Sequence, residues 1–266
     1  MLDQSSYRDC PACEATQATA LSAYSPEPWH VACCDFCGFT FLRNPPDYEA
    51  LEEEFAWEKT YEAKKGAARG STFFSPMARR IRNKIGMYRD KTGAFRRWFN
   101  DGNVLDIGCG LGHRISPPMT PYGIELSVEL HKQADQIMRE RGGYCQHGAG
   151  AQAIWEFDEA MFDGIIMNSY LEHETQVMQV LKGAHRALKP SGAVFVRVPN
   201  YGSLNRRLIG AKWCGFRYPD HVNYFTLQSL RDVAARAGFD CQLINTISLP
   251  VDDNISVLLC KTQSPN

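Results

Sequence analysis

Residues 104–112 read Val-Leu-Asp-Ile-Gly-Cys-Gly-Leu-Gly, and residues 122–126 read Tyr-Gly-Ile-Glu-Leu. The apolar run that ends in alternating glycines predicts a buried strand that enters a tight turn. Glycines in that turn let the backbone take positive φ angles and let a ligand lie against the peptide planes. A second short strand ends in Glu125, whose carboxylate can accept hydrogen bonds from a ribose diol. These two stretches therefore predict an α/β fold with a nucleotide-type site.

The spacing of the glycines separates two classes of ligand. A dinucleotide fingerprint starting at Gly108 needs a glycine at position 113, where this chain has His113. The observed Gly-x-Gly-x-Gly pattern instead resembles motif I of class I methyltransferases that use S-adenosylmethionine (SAM). That resemblance implies that the loop faces the adenosyl and methionyl parts of SAM. On this basis the predicted cofactor-binding residues are Asp106, Gly108, Cys109, Gly110, Gly112, Glu125, Leu126, Gln152 and Asn168.

Length and composition limit the possible classes of protein. The 266 residues can hold one α/β domain of roughly 200 residues and a small accessory module. The composition, 44% hydrophobic and 22% charged, is typical of a soluble globular protein. No apolar run approaches the roughly 20 residues that span a membrane, and the N-terminus lacks the pattern of a secretion signal. We therefore expect a cytoplasmic protein without membrane partners.

Charge is balanced over the whole chain but is unevenly placed along it. The net charge of −1 gives no general attraction to nucleic acid, so a nucleic-acid partner is not expected. Residues 47–62 are rich in acidic side chains, and residues 64–97 are rich in basic ones. Two solvated helix faces that partly neutralise each other explain this pattern. A basic wall that attracts an anionic substrate is the alternative.

The N-terminal cysteines have the spacing of metal ligands. Two Cys-x-x-Cys pairs lie 20 residues apart, and each pair can offer two thiolates to one tetrahedral ion. Four thiolates suit a closed, structural Zn²⁺ site. His30 and Cys33 lie close enough in sequence to replace one of the ligands. The predicted zinc ligands are Cys10, Cys13, Cys34 and Cys37.

The order of predicted elements gives three segments. Residues 1–45 form a zinc ribbon, residues 46–100 a helical linker or lid, and residues 101–266 a SAM-dependent methyltransferase domain. The last segment alternates strands and helices, which predicts a Rossmann-like seven-stranded sheet with helices on both faces. The predicted strands lie near 103–107, 122–126, 144–146, 162–168, 193–199, 241–248 and 255–262.

The family resemblance extends over residues 102–240. Its further motifs include Leu171-Glu172-His173, a breaker-rich turn at 188–192, and the stretch from His221 to Phe225. These resemble the subgroup of ubiquinone-type O-methyltransferases. The N-terminal cysteine pair resembles that of sugar and secondary-metabolite methyltransferases. The motifs are specific for the cofactor and unspecific for the acceptor.

The sequence departs from this family pattern in two places. Residues 113–122 separate the glycine loop from the second strand and include Pro117, Pro118 and Pro121, which would cut short the usual helix. Where the family often has an acid near the adenine, residues 148–152 read Gly-Ala-Gly-Ala-Gln. The adenine contact assigned to Gln152 depends on that alignment.

Catalytic candidates should lie near the carboxyl ends of the fourth and fifth strands, because open α/β sheets bind ligands at that edge. Histidine is suited to remove a proton from a hydroxyl or an acidic carbon. We predict His221 as the base and Tyr224 as its orienter, with His173 as a further candidate. Hydrogen-bonded structural roles are the alternative for all three residues.

The segment after the fifth strand carries basic and aromatic side chains. Arg206, Arg207, Lys212 and Arg217 predict a small anionic acceptor, such as a nucleotide sugar, a phosphorylated glycan or an acidic metabolite. Surface solubility explains the same residues equally well. Two other functions stay open: an rRNA or tRNA methyltransferase that docks RNA through the ribbon, and a non-catalytic binding protein with this fold. The sequence does not indicate an oligomeric state.

Overall fold

The structure is a computed structural model that describes residues 7–46, 94–246, 249 and 252–262. Its strands fall into a small sheet near the N-terminus and a large central sheet. The strands of the described residues are β1 (Ala18–Ala20), β2 (Val31–Cys34), β3 (Thr40–Leu42), β4 (Asn103–Ile107), β5 (Thr120–Glu125), β6 (Cys145–His147), β7 (Phe162–Asn168), β8 (Leu188–Pro199), β9 (Asn223–Tyr224), β10 (Phe239–Leu243) and β11 (Asn254–Lys261).

The α-helices lie between these strands. The described helices are α1 (Val128–Arg139), α2 (Gly150–Ala153), α3 (Val177–Ala187), α4 (Leu204–Ile209) and α5 (Leu227–Arg236). Ser127 caps α1 by accepting a hydrogen bond from Leu130 N, and Thr226 caps α5 in a reciprocal capping box with Ser229. Serine and threonine are preferred at this position because their hydroxyl oxygens accept from the free N–H groups of the first turn.

The large sheet has seven strands in the order β10-β11-β8-β7-β4-β5-β6. The five strands from β8 to β6 are parallel, whereas β11 is antiparallel to both β8 and β10. Parallel strands need crossover connections, which place α1 and α3 against the sheet. The predicted Rossmann-like seven-stranded sheet is confirmed. Strand β7 is nearly all apolar and buried because both faces of a central strand are covered.

Strand β8 begins earlier than the sequence predicts. We expected a turn over residues 188–192 and a strand from 193, whereas the structure includes residues 188–192 in the strand. The partners jump from Phe162↔Leu188 to Gly164↔Ala193, so these residues form an irregularity in the ladder. Lys189 Nζ reaches Asp163 Oδ2 at 2.8 Å from this point. The proline and glycine within residues 188–192 therefore lie in an irregular part of the strand, and not in a turn before it.

The small sheet has the order β1-β2-β3-β9 and joins two distant parts of the chain. Strand β9 pairs antiparallel with β3, with Thr40 opposite Tyr224 and Phe41 opposite Asn223. The predicted zinc-ribbon segment 1–45 thus shares a sheet with the segment that follows β8. The sequence placed these in separate domains and gave no signal for the pairing.

Few of the residues in the predicted linker or lid, 46–100, are described. The expected helices and the charge runs 47–62 and 64–93 lie outside the described residues. Ala94–Arg97 forms a 3₁₀ turn, and Phe95 within it and Phe99 after it are buried. Trp98 stacks on Phe195 of β8 with ring centroids 5.4 Å apart. Among the described residues no helix is both long and apolar enough to cross a bilayer.

Candidate functional site

The glycine loop that follows β4 has the backbone that the sequence predicts. Gly108, Gly110 and Gly112 have φ angles of 70°, 56° and 76°, a region that L side chains rarely adopt. A Cβ on Gly112 would lie 3.2 Å from Ala134 of α1, so the loop packs closely on that helix. A Cβ on Gly110 would have nothing within 4 Å. The loop therefore presents open backbone at the carboxyl edge of the sheet.

Glu125 ends β5 and binds this loop directly. One carboxylate oxygen accepts a hydrogen bond from Gly110 N at 2.8 Å, and the other accepts one from Ser127 N at 3.0 Å. A carboxylate oxygen can accept more than one hydrogen bond, so both oxygens keep lone pairs for a ligand. Glu125 thus fixes the conformation of the glycine loop and lies beside the open backbone of Gly110.

Asp106 lies beneath the loop and is held by Arg114. Arg114 Nη1 lies 2.8 Å and 2.9 Å from the two oxygens of a carboxylate that is almost completely buried. No helix follows the glycine loop before β5, as the prolines predicted. Arg141, just after α1, donates instead to the backbone carbonyls of Ile115 and Met119 and holds this segment in place.

The structure places the other predicted cofactor residues around the same edge. Cys109 is buried, with its Sγ 3.6 Å from Cys145 Sγ, and this contact and burial raise its pKa. The carbonyl of Leu126 accepts a contact from the His147 ring at 2.9 Å. Gln152 is exposed on α2, and Asn168 ends β7. Their roles toward a cofactor stay predictions.

Tyr170 contacts the glycine loop and was not predicted as a cofactor residue. A Cβ on Gly108 would lie 3.1 Å from its ring, and a Cβ on Gly150 would collide with its hydroxyl. The hydroxyl donates a hydrogen bond to Glu174 Oε2, which fixes the ring. Glycine at positions 108 and 150 is therefore required for this aromatic ring to reach the loop. In the sequence, the only signal is its place just after β7.

His173 and His221 are brought together near the end of β7. Their ring centroids lie 4.8 Å apart and their planes are nearly perpendicular. The Nδ1 atoms contact backbone carbonyls, Asp220 O at 2.7 Å for His173 and Gly215 O at 2.9 Å for His221. Burial lowers the pKa of both rings, that of His221 to about 3.

Tyr224 is not positioned to orient the His221 ring by a hydrogen bond to its Nδ1, which contacts Gly215. The Tyr224 hydroxyl donates instead to the backbone carbonyl of His221 at 2.9 Å. The low pKa makes His221 a weak base at neutral pH. The catalytic roles assigned to His221, Tyr224 and His173 nonetheless stay predictions.

Residues 77–244, which contain this loop and the edge around it, match a family model described as a methyltransferase domain. The match covers more than half of the chain. The chain belongs to the methyltransferase domain family. The protein is therefore a SAM-dependent methyltransferase, and its cofactor is SAM. A dinucleotide cofactor is excluded, as the histidine at position 113 predicted.

Two curated relatives are similar to this methyltransferase. An uncharacterised protein of Methanocaldococcus jannaschii is 22% identical over 58% of this chain and 72% of its own length. A ubiquinone biosynthesis O-methyltransferase of Caulobacter vibrioides is 32% identical over 45% of this chain and 47% of its own length. The methyltransferase thus spans about half the length of that ubiquinone relative.

A solved structure supports the fold of the methyltransferase. It is the complex between the Haloferax volcanii Trm112 methyltransferase activator and a methyltransferase. The match has a TM-score of 0.50 at 13% identity and covers 65% of this chain and 88% of the other. At this identity the likeness shows the fold alone.

The four predicted metal-binding cysteines meet at one point. Cys10 Sγ lies 3.5 Å from Cys37 Sγ, and Cys13 Sγ lies 3.6 Å from Cys34 Sγ. All four sulfur atoms lie within 4.8 Å of one another. Cys33 and His30 are outside the group: the Cys33 thiol contacts Gly38 O, and His30 packs against Tyr7.

The insertion after β8 is packed against the N-terminal module. Trp213 is buried, and Phe216 stacks on Tyr24 with ring centroids 4.9 Å apart, so these rings are core rather than a free lid. Arg206 donates to Tyr201 O at 2.7 Å, and Arg217 pairs with Asp220 at 3.2 Å. Two of the four predicted acceptor-binding cations are thus engaged within the protein. The other two, Arg207 and Lys212, are exposed.

Proposed function

We propose that this methyltransferase transfers the methyl group of SAM to an oxygen of a small acceptor that carries a hydroxyl and an anionic group. The observation that carries the proposal is the convergence of the His173 and His221 rings in the segments that follow β7 and precede β9. With Nδ1 donating to a carbonyl, a neutral imidazole has a lone pair on Nε2, which accepts a hydrogen bond from a hydroxyl. The similarity to ubiquinone biosynthesis O-methyltransferases supports oxygen as the methylated atom.

The residues present suit the cofactor that the family implies. Open backbone at Gly110 gives room for a ligand, and the Glu125 carboxylate beside it can accept hydrogen bonds from ribose hydroxyls. When bound, SAM supplies a methyl group on a sulfonium, which reacts by in-line displacement. The protein's task is then to align the acceptor oxygen and to exclude water.

The anionic group of the acceptor is assigned to the exposed cations of the insertion. Arg207 and Lys212 make no ion pair among the described residues, whereas Arg217 is committed to Asp220. An arginine and a lysine can hold a phosphate or a carboxylate without a further partner. An acidic metabolite, a phosphorylated glycan or a nucleotide sugar would all supply that group.

The test is methyl transfer from isotope-labelled SAM to a panel of phenols, hydroxy acids, sugars and nucleotide sugars. We expect label in an anionic hydroxyl compound, with mass spectrometry placing one methyl group on oxygen. The double change Arg207→Gln with Lys212→Gln should raise the KM for that acceptor about tenfold and leave SAM affinity unchanged. A tenfold change corresponds to the loss of one charge-assisted hydrogen bond. Label found only in RNA, or only on nitrogen, would reject the proposal.

A matched control uses cations that face solvent elsewhere. Lys132→Gln with Arg231→Gln removes the same charge from α1 and α5, where both residues are exposed. If this pair raises the KM as much as the first pair, the effect is one of overall charge and the anionic assignment fails.

We propose that the four N-terminal cysteines hold a structural Zn²⁺ ion. Sulfur atoms around a tetrahedral Zn²⁺ at about 2.3 Å stand about 3.8 Å apart, close to the measured separations of 3.5 and 3.6 Å. Backbone groups of Ala12 and Cys13 hydrogen-bond Cys10, as the sulfurs of a metal knuckle require. Four thiolates leave no open position for catalysis.

The two knuckles share one backbone geometry. Glu14 lies four residues after Cys10 and has φ 61°, and Gly38 lies four residues after Cys34 and has φ 72°. In each, the amide of that fourth residue donates to the carbonyl of the first cysteine. Two equivalent turns that aim their sulfurs at one point are expected for a closed metal site.

Elemental analysis of purified protein tests the zinc proposal. We expect stoichiometric zinc in the native chain and in Cys33→Ser, and loss of zinc from Cys34→Ser. These two cysteines are neighbours, but only Cys34 belongs to the cluster. Zinc absent from the native chain, or retained equally in both variants, would show that the cluster is not the site.

A further inference from the structure

The side chains of Glu172, His173 and His221 form a second cluster with the geometry of a metal site. One ligand atom from each residue lies within 4.8 Å of those of the other two. Glu172 and His221 are buried, with 1% and 4% of their surface exposed. This group lies apart from the four cysteines and includes two of the predicted catalytic residues.

Each imidazole ring has one nitrogen that carries no proton and can bind a metal ion. Because a backbone carbonyl only accepts hydrogen bonds, the Nδ1 atoms that contact Asp220 O and Gly215 O carry the ring protons. In neutral rings, Nε2 is then a lone-pair donor. A backbone carbonyl that fixes the tautomer in this way is the usual outer contact of a metal-bound histidine.

Glu172 brings a carboxylate oxygen that lacks a partner. Its Oε2 is buried and has no hydrogen bond within the part of the chain that the structure describes. A buried polar atom without a hydrogen bond destabilises the folded state, and does so more strongly when it is charged.

The backbone holds the three residues rigidly in this arrangement. The Glu172 carbonyl accepts from Val222 N at 2.7 Å and from Asn223 N at 3.1 Å. The Asn223 side chain donates in turn to Leu171 O at 2.7 Å and to Glu174 O at 2.6 Å. The segment after β7 is thus tied to the segment before β9. The three residues therefore offer ligand atoms within 4.8 Å of one another on segments that the backbone ties together.

We propose that Glu172, His173 and His221 bind a divalent first-row transition ion. Two imidazole nitrogens and one carboxylate oxygen suit Zn²⁺, Fe²⁺, Co²⁺ or Mn²⁺, whereas Mg²⁺ and Ca²⁺ prefer oxygen ligands. Three protein ligands leave coordination positions for water or for an acceptor hydroxyl. With the ion bound, the hydroxyl would contact the metal in place of Nε2; this use rests on the proposed methylation of a hydroxyl, but the metal site itself does not.

The test is a titration of the full chain with Co²⁺ after a single equivalent of Zn²⁺ per chain has filled the cysteine cluster, whose four thiolates hold Zn²⁺ more tightly than the second site. Calorimetry should show one Co²⁺ bound per chain, and elemental analysis of the same samples should show the zinc unchanged. We expect Glu172→Gln and His221→Gln each to weaken Co²⁺ binding by about 10–100-fold or more. Circular dichroism would check that each variant keeps the fold.

Glu174→Gln is the matched control. This nearby carboxylate is also buried, but its oxygens are engaged by the Tyr170 hydroxyl and by Gln176 N. It should bind Co²⁺ like the native chain. The proposal is overturned if the folded native chain binds no Co²⁺ beyond the cysteine cluster, or if Glu172→Gln and His221→Gln both bind it normally. Methylation of a hydroxyl without such binding would reject this site and leave the proposed function standing.

Discussion

At the scale of single residues, Glu125 connects the sequence pattern to the cofactor site. The sequence predicts only an acid that faces a ribose, whereas the structure shows a carboxylate that also accepts from Gly110 N and Ser127 N. The same side chain therefore fixes the glycine loop and the backbone of Ser127, the residue that caps α1. A change at Glu125 should affect cofactor binding more than it affects folding, because the carboxylate is only half-buried.

Glu125→Gln should weaken SAM binding by about tenfold to a hundredfold, or about 1–3 kcal/mol. The amide has only one acceptor oxygen, so one backbone N–H of the loop loses its partner. Calorimetry with SAM measures the change. Glu129→Gln, an exposed carboxylate on α1, should bind SAM normally. Equal losses in both variants would mean that the acid at 125 has no special role.

At the scale of elements, an ion pair and a bound arginine replace the missing helix after the glycine loop. Three prolines prevent a helix there, as the sequence predicted. What it could not predict is how the segment is held: by Arg114 on Asp106 and by Arg141 on two carbonyls. No local sequence pattern indicates either contact, so only the folded structure shows which groups these two arginines bind.

Arg114→Gln should reduce the free energy of unfolding by about 3 kcal/mol, because it takes the bidentate cation from a buried carboxylate. Denaturant unfolding measures this loss. Arg139→Gln breaks an ion pair with Asp135 in which the arginine is exposed and screened by water, and should cost much less. A loss at Arg114 no larger than that at Arg139 would show that Asp106 does not depend on this pair.

At the scale of the whole molecule, the N-terminal module and the methyltransferase sheet form one packed unit. Strand β9 closes the small sheet, and Arg8 donates to Leu42 O at 2.8 Å and to Val222 O at 2.6 Å. Tyr24, Phe216 and the rings around them fill the space between. Loss of the cysteine cluster should therefore lower the stability of the whole packed unit.

Cys34→Ser should lower the thermal midpoint of the whole protein by about 10 °C, from a loss of about 3 kcal/mol, in a single transition. A ribbon that folded alone would instead unfold in a separate, earlier step. Scanning calorimetry distinguishes the two results. Cys33→Ser, outside the cluster, should keep the native midpoint.

The shared aromatic cluster should also make the protein sensitive to alkali. Burial raises the pKa of Tyr218 to about 12, and raises the pKa values of Tyr201 and Tyr224 as well. An unfolded tyrosine ionises near pH 10, so the folded state holds protons that the unfolded state has lost. Stability should be full below pH 10 and fall as the pH rises toward 12.

Denaturant midpoints measured from pH 8 upward would show this decline. In Tyr218→Phe the decline should be smaller. The same variant should be less stable by about 1 kcal/mol at neutral pH, because it loses a hydrogen bond to Tyr24 O. An identical alkaline decline in the native chain and in Tyr218→Phe would exclude this tyrosine as a source.

The sequence by itself determined the local features: the glycine loop, the acid after β5, the helix caps, the seven strands and the two cysteine knuckles. Each of these depends on residues that lie close together along the chain, where backbone geometry and periodicity act directly. Only the tertiary structure decided that β9 completes the ribbon sheet, that Arg114 binds Asp106, and that Glu172 meets His221. The first and third contacts join elements that are distant in the chain, and the second crosses a loop without regular structure. The energy of all three comes from burial and from satisfying buried polar groups, which no local pattern records.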